Sequence, residues 1–180
     1  MRILAISGSL RAASSNTSAL RAASILADPD VAIVLYDSIG ALPHFNPDLD
    51  NDQPPDSVQA LRREVGLSDG IMICSPEYAH GIAGSLKNAL DWLVGSLEFS
   101  EKPIAVINAS PRATHAKAQL LEVLRTMNGQ VAISASIDLP LMGRGLDASG
   151  IATDVELAAI LRGAIAELVR KIESTPKIPT

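Results

Sequence analysis

The residues best equipped for chemistry stand near the start of the chain, in Ser7-Gly8-Ser9-Leu10-Arg11-Ala12-Ala13-Ser14-Ser15-Asn16. Gly8 permits a sharp turn, the serines and Asn16 offer hydroxyl and amide donors, and Arg11 offers a planar fork for phosphate oxygens. The stretch follows the apolar run Arg2-Ile3-Leu4-Ala5-Ile6 and opens a segment with Ala19, Leu20, Ala22, Ala23 and Leu26 at helical spacing. A polar loop between a strand and a helix presents free backbone N–H groups at the positive end of the helix, which suits a phosphate. It is not a Walker loop, since no Gly-Lys-Ser/Thr follows, and its one glycine does not make a dinucleotide fingerprint. The same residues also read as a serine-rich turn in which Ser15 or Asn16 caps the helix. The loop alone does not separate the two readings.

The elements around it do more. Val31 to Tyr36 is a nearly continuous aliphatic run, as expected of a parallel strand covered on both faces. Ala41 to Pro55, with four prolines, reads as a long surface loop ordered by a ligand or a neighbouring subunit. Ser57 to Leu67 is a short helix and Gly70 to Cys74 the third strand. A second informative loop, Ser75 to Gly84, leads into an amphipathic helix over Ser85 to Val94. Pro103 to Ala109 is the fourth strand, followed by a third loop, Ser110-Pro111-Arg112-Ala113-Thr114-His115, and a helix through Met127. Asn128-Gly129 ends that helix, and Gln130 to Ser134 is a fifth strand. Ile137 to Ser149 is a loop, Asp154 to Ile172 the last helix, and residues 175–180 a frayed tail. Strands alternating with helices imply a parallel sheet covered on both faces. Five such units fit an α/β, flavodoxin-like three-layer sandwich with a five-stranded parallel sheet in the order 2-1-3-4-5. In that order the loops after strands 1, 3 and 4 converge on one crevice at the carboxyl ends of the strands.

Composition narrows the classes. The 180 residues make one domain over 1–174, large enough to bury a core. Aromatics are 3% and the net charge is −5, which argues against a platform for nucleic-acid bases. The single cysteine, Cys74, excludes an intrachain disulfide, and its place at the end of an apolar run suits a small buried hydrophobe. No stretch is long and uncharged enough to span a bilayer, and the N-terminal apolar run is too short for a signal core. A cytoplasmic enzyme or binding protein is the expectation.

Two motifs then carry a family resemblance. Gly8-Ser9-Leu10-Arg11-x-x-Ser14-x-Asn16 resembles the phosphate loop of the NAD(P)H-dependent FMN reductases, a family that includes quinone, chromate and azo-dye reductases. Ser75-Pro76-Glu77-Tyr78-x-His80-Gly81-Ile82, followed by Leu86-Lys87-Asn88-Ala89-Leu90-Asp91-Trp92, resembles its second signature. The resemblance implies that Ser9, Arg11, Ser14 and Asn16 hold the FMN phosphate, with the Ser15 N–H adjacent. It implies that Pro76, Glu77 and Tyr78 line the isoalloxazine ring and that Ser110 contacts it from the third loop. Ala79 stands where the family often has Asn, so one flavin contact is missing. Arg112 to His115 replaces a glycine-rich stretch, and places a cation where the phosphates of NADPH or NADH approach.

The expected function is hydride transfer from NAD(P)H through bound FMN to a quinone, a second flavin or a similar small acceptor. No catalytic acid–base residues are assigned, because the cofactor carries the chemistry. The rivals are a non-catalytic FMN electron carrier and a flavin-free module for another phosphate ligand. His80 and His115 read as hydrogen-bonded loop histidines, and no metal is expected. Trp92 reads as core or subunit interface. The helix over Leu86 to Val94 is apolar on more than one face, which predicts self-association, as the homodimer or homotetramer the resemblance implies.

Overall fold

The computed structural model describes residues 1–176. The elements run β1 (Arg2–Ser7), α1 (Ser15–Leu26), β2 (Ala32–Tyr36), α2 (Asp56–Gly66), β3 (Gly70–Cys74), β4 (Glu77–Tyr78), β5 (Gly81–Ile82) and α3 (Gly84–Leu93). They continue with β6 (Pro103–Asn108), α4 (Thr114–Thr126), β7 (Gln130–Val131), β8 (Ile137–Asp138), α5 (Ala148–Thr153) and α6 (Val155–Ser174). The sheet order is β2-β1-β3-β6-β7, with every pairing parallel. Counting strands of the main sheet alone, this is the expected 2-1-3-4-5 order.

Period-two alternation splits the central strands between two cores. Ile3, Ala5, Met72, Cys74, Ala105 and Ile107 face α1, α5 and α6. Leu4, Ile6, Ile71, Ile73, Ile104 and Val106 face α2, α3 and α4. Continuous burial along β1, β3 and β6 is why these strands read as unbroken apolar runs.

Several expectations need correction. β2 is the edge strand: Ile33 is buried while Ala32 and Val34 are exposed, so it is not covered on both faces. The fifth strand is two residues long. A 3-10 turn over Ile133–Ala135 interrupts it, and the chain returns to β6 as β8, inside the segment expected to be loop. Ser136 explains the interruption: its hydroxyl accepts from Val106 N–H and donates to Ala132 C=O, taking over a ladder bond. The second loop contains the β4–β5 hairpin, and α5 precedes the last helix. Residues 177–180 of the expected tail lie outside the described residues.

The apolar faces of α3 are absorbed by the chain itself. Leu86, Ala89, Leu90, Trp92 and Leu93 are all buried, so of the apolar residues behind the expected self-association only Val94 is left exposed. Part of that burial comes from the proline-rich loop. Trp92 Nε1–H donates to Pro43 C=O at 2.8 Å, and Phe45 meets the indole edge-on with centroids 5.0 Å apart. Asn88 clamps the same loop through Pro43 C=O and Phe45 N–H, so the chain's own helix orders it. Among the described residues no helix is long and apolar enough to cross a membrane.

Candidate active site

Register brings three loops to one level. Ser7 lies beside Cys74 and Cys74 beside Ile107, so the loops after β1, β3 and β6 leave the same edge of the sheet. The first two are locked together. Gly8 N–H donates to Cys74 C=O at 2.8 Å, and Ser85 Oγ donates to Gly8 C=O at 2.9 Å. A Cβ on Gly8 would stand 2.5 Å from Ser75 Oγ and 2.9 Å from Ser75 Cβ, so this approach requires glycine.

Ser14, rather than Ser15 or Asn16, caps α1, its Oγ accepting from Thr17 N–H at 3.3 Å. Ser15 and Asn16 are the first residues of the helix, and their N–H groups have no protein acceptor among the described residues. Cys74 donates its thiol proton to Asn16 Oδ1 at 3.2 Å, which leaves the Asn16 amide N–H groups free. Burial pushes the Cys74 thiol up to about 12 against the opposing pull of a backbone contact from Ala109. The thiol stays protonated and serves as a packed side chain that orients Asn16, not as a nucleophile.

A cavity of about 440 Å³ opens here, lined by Ser15, Asn16, Ser75, Pro76, Glu77, Asn108, Ala109, Ser110, Arg112, Ala113, Met142 and Gly143. That volume lies within the range of small-molecule sites, roughly 300–1,000 Å³. Five of the nine expected site residues meet in it: Ser15, Asn16, Pro76, Glu77 and Ser110. Ser9 and Arg11 instead line a second cavity of about 450 Å³, between the ends of β1 and β2. Ser14 is spent on its cap, and Tyr78, 53% exposed, lines neither cavity. Arg112 lines the first cavity as expected; His115 does not, because it turns its ring edge to His80, centroids 4.3 Å apart.

Sequence reasoning missed Asn108, which ends the fourth strand and is buried. Its Nδ2 donates to Asp138 Oδ1 at 2.7 Å and its Oδ1 accepts from Ser110 N–H at 3.4 Å, setting the third loop. Partial burial of Asp138 opposes its ionisation, but hydrogen bonds from Lys117 and Asn108 outweigh that and hold its carboxyl below the usual range. A polar residue at the carboxyl end of an otherwise apolar strand was the available signal.

Glu77 has a role beyond lining the cavity. α4 has no capping side chain of its own, and Glu77 Oε2 accepts from Ala116 N–H at 2.9 Å in its first turn. That bond, opposed by desolvation and aided by His115 and His80, keeps the Glu77 carboxyl below its ordinary value. His80 Nδ1 stands 3.3 Å from Glu77 Oε1. The two helix termini beside the cavity therefore differ. The first turn of α4 is already filled by a carboxylate, while the N–H groups that open α1 are unfilled.

The family model for NADPH-dependent FMN reductase matches residues 1–138. The chain belongs to this family. It is 39% identical over 112 residues to NAD(P)H-dependent FMN reductase PA1204 of Pseudomonas aeruginosa, a match covering 61% of this chain and 60% of that one. It is 37% identical over 116 residues to a quinone reductase of Pseudomonas putida, covering 62% of this chain and 61% of the relative. These matches span about three-fifths of the length of both relatives. Among solved structures, FerB of Paracoccus denitrificans, a flavoenzyme NAD(P)H:(acceptor) oxidoreductase, superposes with a TM-score of 0.84 at 31% identity, covering 97% of this chain and 98% of FerB. The FMN reductase match takes in the cavity-lining loops after β1, β3 and β6, while Met142 and Gly143, which also line the cavity, lie beyond it.

Proposed function

We propose that the chain binds FMN and uses it to reduce a quinone, a flavin or a similar small acceptor at the expense of NAD(P)H. The observation that carries this reading is the convergence of three strand-to-helix loops on one cavity beside an unfilled helix N-terminus. Two free N–H groups of α1 and the Asn16 amide suit a phosphate ester, with Ser9, Arg11 and Ser14 on the loop leading into that terminus. Pro76, Glu77 and Ser110 supply walls for a flat ring, and Tyr78 stands at the outer end of the same hairpin.

Bound FMN supplies the hydride chemistry. The chain's contribution is orientation and exclusion of water from one side of the cavity. Rigidity comes from the Gly8–Ser75 approach and from the Asn108 amide that sets the third loop. Arg112, without an acidic partner among the described residues, stands ready for a phosphate of the nicotinamide nucleotide. The reading extends to a cytoplasmic setting, where NAD(P)H is available, and to a homodimer or homotetramer. The test is the visible spectrum of purified protein after incubation with FMN and gel filtration. The expected result is a retained flavin spectrum, FMN rather than FAD on acid extraction, and bleaching by anaerobic NADPH. A colourless protein overturns the reading.

A further inference from the structure

The second cavity has no task in this scheme beyond holding Ser9 and Arg11. It sits at the carboxyl ends of β1 and β2, against the turn over Ile39–Ala41, and measures about 450 Å³. We propose that it is a nucleotide site, taking the adenosine ribose phosphate of the nicotinamide nucleotide; this rests on the function proposed above.

Charge is the first argument. Arg11 and Arg21 both line the cavity, and neither guanidinium has a protein acceptor among the described residues. Arg2, Arg62, Arg144 and Arg170 are neutralised by Glu64, Asp50, Asp154 and Glu167, whereas the two guanidiniums on this cavity are not paired with an acid among the described residues. Two unpaired forks on one cavity wall, in a chain of net charge −5, suit phosphate oxygens.

The second argument separates a nucleotide from a bare phosphate. Asp37 lines the same cavity directly after β2, also without a hydrogen-bond partner. A carboxylate there repels a free phosphate dianion but accepts hydrogen bonds from a ribose diol. An acid at the end of the second strand plays that part in dinucleotide-binding sheets. Leu10, Leu35 and Ile39 give the remaining wall an apolar character suited to a base. Gly40 and Leu10 meet at the rim, where a Cβ on Gly40 would lie 3.1 Å from Leu10 Cδ2.

The third argument separates this ligand from FMN. The free N–H groups of Ser15 and Asn16 belong to the first cavity, while Arg21 lines the second alone. Arg21 therefore discriminates between them. The experiment is calorimetry on the FMN-saturated protein with 2′,5′-ADP and 5′-AMP as probes. Both should bind and compete with NADPH. Arg21→Ala should weaken 2′,5′-ADP by about tenfold or more, the loss of a charge-assisted hydrogen bond, and leave FMN affinity unchanged. Asp37→Asn should shift the preference toward 2′,5′-ADP over 5′-AMP, because a negative charge near the 2′ position is removed. Absence of binding by both 2′,5′-ADP and 5′-AMP to FMN-loaded protein, or equal loss of FMN and of the bound nucleotide probe in Arg21→Ala, overturns the proposal. Failure of the wild-type chain to bind FMN is scored separately and counts against the function itself.

Discussion

Glu77 and Arg11 do opposite things with charge. Glu77 is satisfied within the fold, since the first turn of α4 holds its carboxyl below the ordinary range, chiefly through Ala116 N–H. A carboxyl whose pKa is lower folded than unfolded adds stability above its unfolded value, and that stability is lost as pH falls through the folded value. Thermal melts of wild type and Glu77→Gln should therefore differ at neutral pH and converge as pH drops below the usual glutamate range of about 4.3. A constant gap down to strongly acid pH would remove the linkage. The Arg11 guanidinium has no partner among the described residues, so its value appears only with a ligand. Arg11→Ala should weaken FMN by about 1.5–3 kcal/mol, the range for a hydrogen bond to a charged group, and leave the melting temperature of the ligand-free protein unchanged. Fluorescence titration of FMN checks the first part. The residue types of this loop were legible in sequence, but the assignment of the cap was not. Ser14, Ser15 and Asn16 are all good caps, and only the backbone decides that Ser14 is extended while its neighbours are helical.

Elements were legible where burial was continuous and illegible where polar side chains replaced ladder bonds. β1, β3 and β6 lie within a residue of expectation, because an unbroken apolar run has one stable use in a covered sheet. β7 and β8 are two residues each, too short for periodicity to register, and the Ser136 hydroxyl that divides them carries no pattern of its own. The β4–β5 hairpin was hidden for a related reason. Its two turn residues, Ala79 and His80, have φ of 49° and 59°, where glycine or asparagine signals the turn. Neither stands there, and the hairpin holds because α4 clasps it: Gln119 Oε1 accepts from Ile82 N–H at 2.9 Å and Glu77 caps the helix. The strain is releasable. Ala79→Asn places a residue tolerant of the left-handed region without the unfolded-state entropy of glycine. It should stabilise the protein by about 0.5–1 kcal/mol, seen as roughly a 1–4 °C rise in melting temperature. A fall instead would mean that the left-handed turn is not the strained part.

At the scale of the whole molecule, the sheet order predicted the crevice, and the crevice brought together most of the expected site. The division of the first loop between two cavities was not legible. It depends on the turn over Ile39–Ala41 folding back beside Leu10, a contact between segments that share no pattern. Association belongs to this scale too, and the structure changes its argument. All but Val94 of the side chains that suggested it lie inside the chain's own core, so a subunit contact must use what remains outside. The largest such residues beside α3 are Leu97, 89% exposed, and Val94, 63% exposed. Glu98 packs against Gly66 at the end of α2, which brings the exposed Leu67 toward the same surface. Large contiguous apolar surfaces mark interaction sites, which makes this end of α3 the place to test. Light scattering of the wild type at micromolar concentration should report a dimer or tetramer, and Val94→Asp with Leu97→Asp should reduce it to a monomer. Because both side chains already stand in water, the double variant should keep the monomer's stability within about 0.5 kcal/mol. A wild type that scatters as a monomer removes the assembly. A double variant that remains assembled leaves the assembly in place and moves its contact to another face.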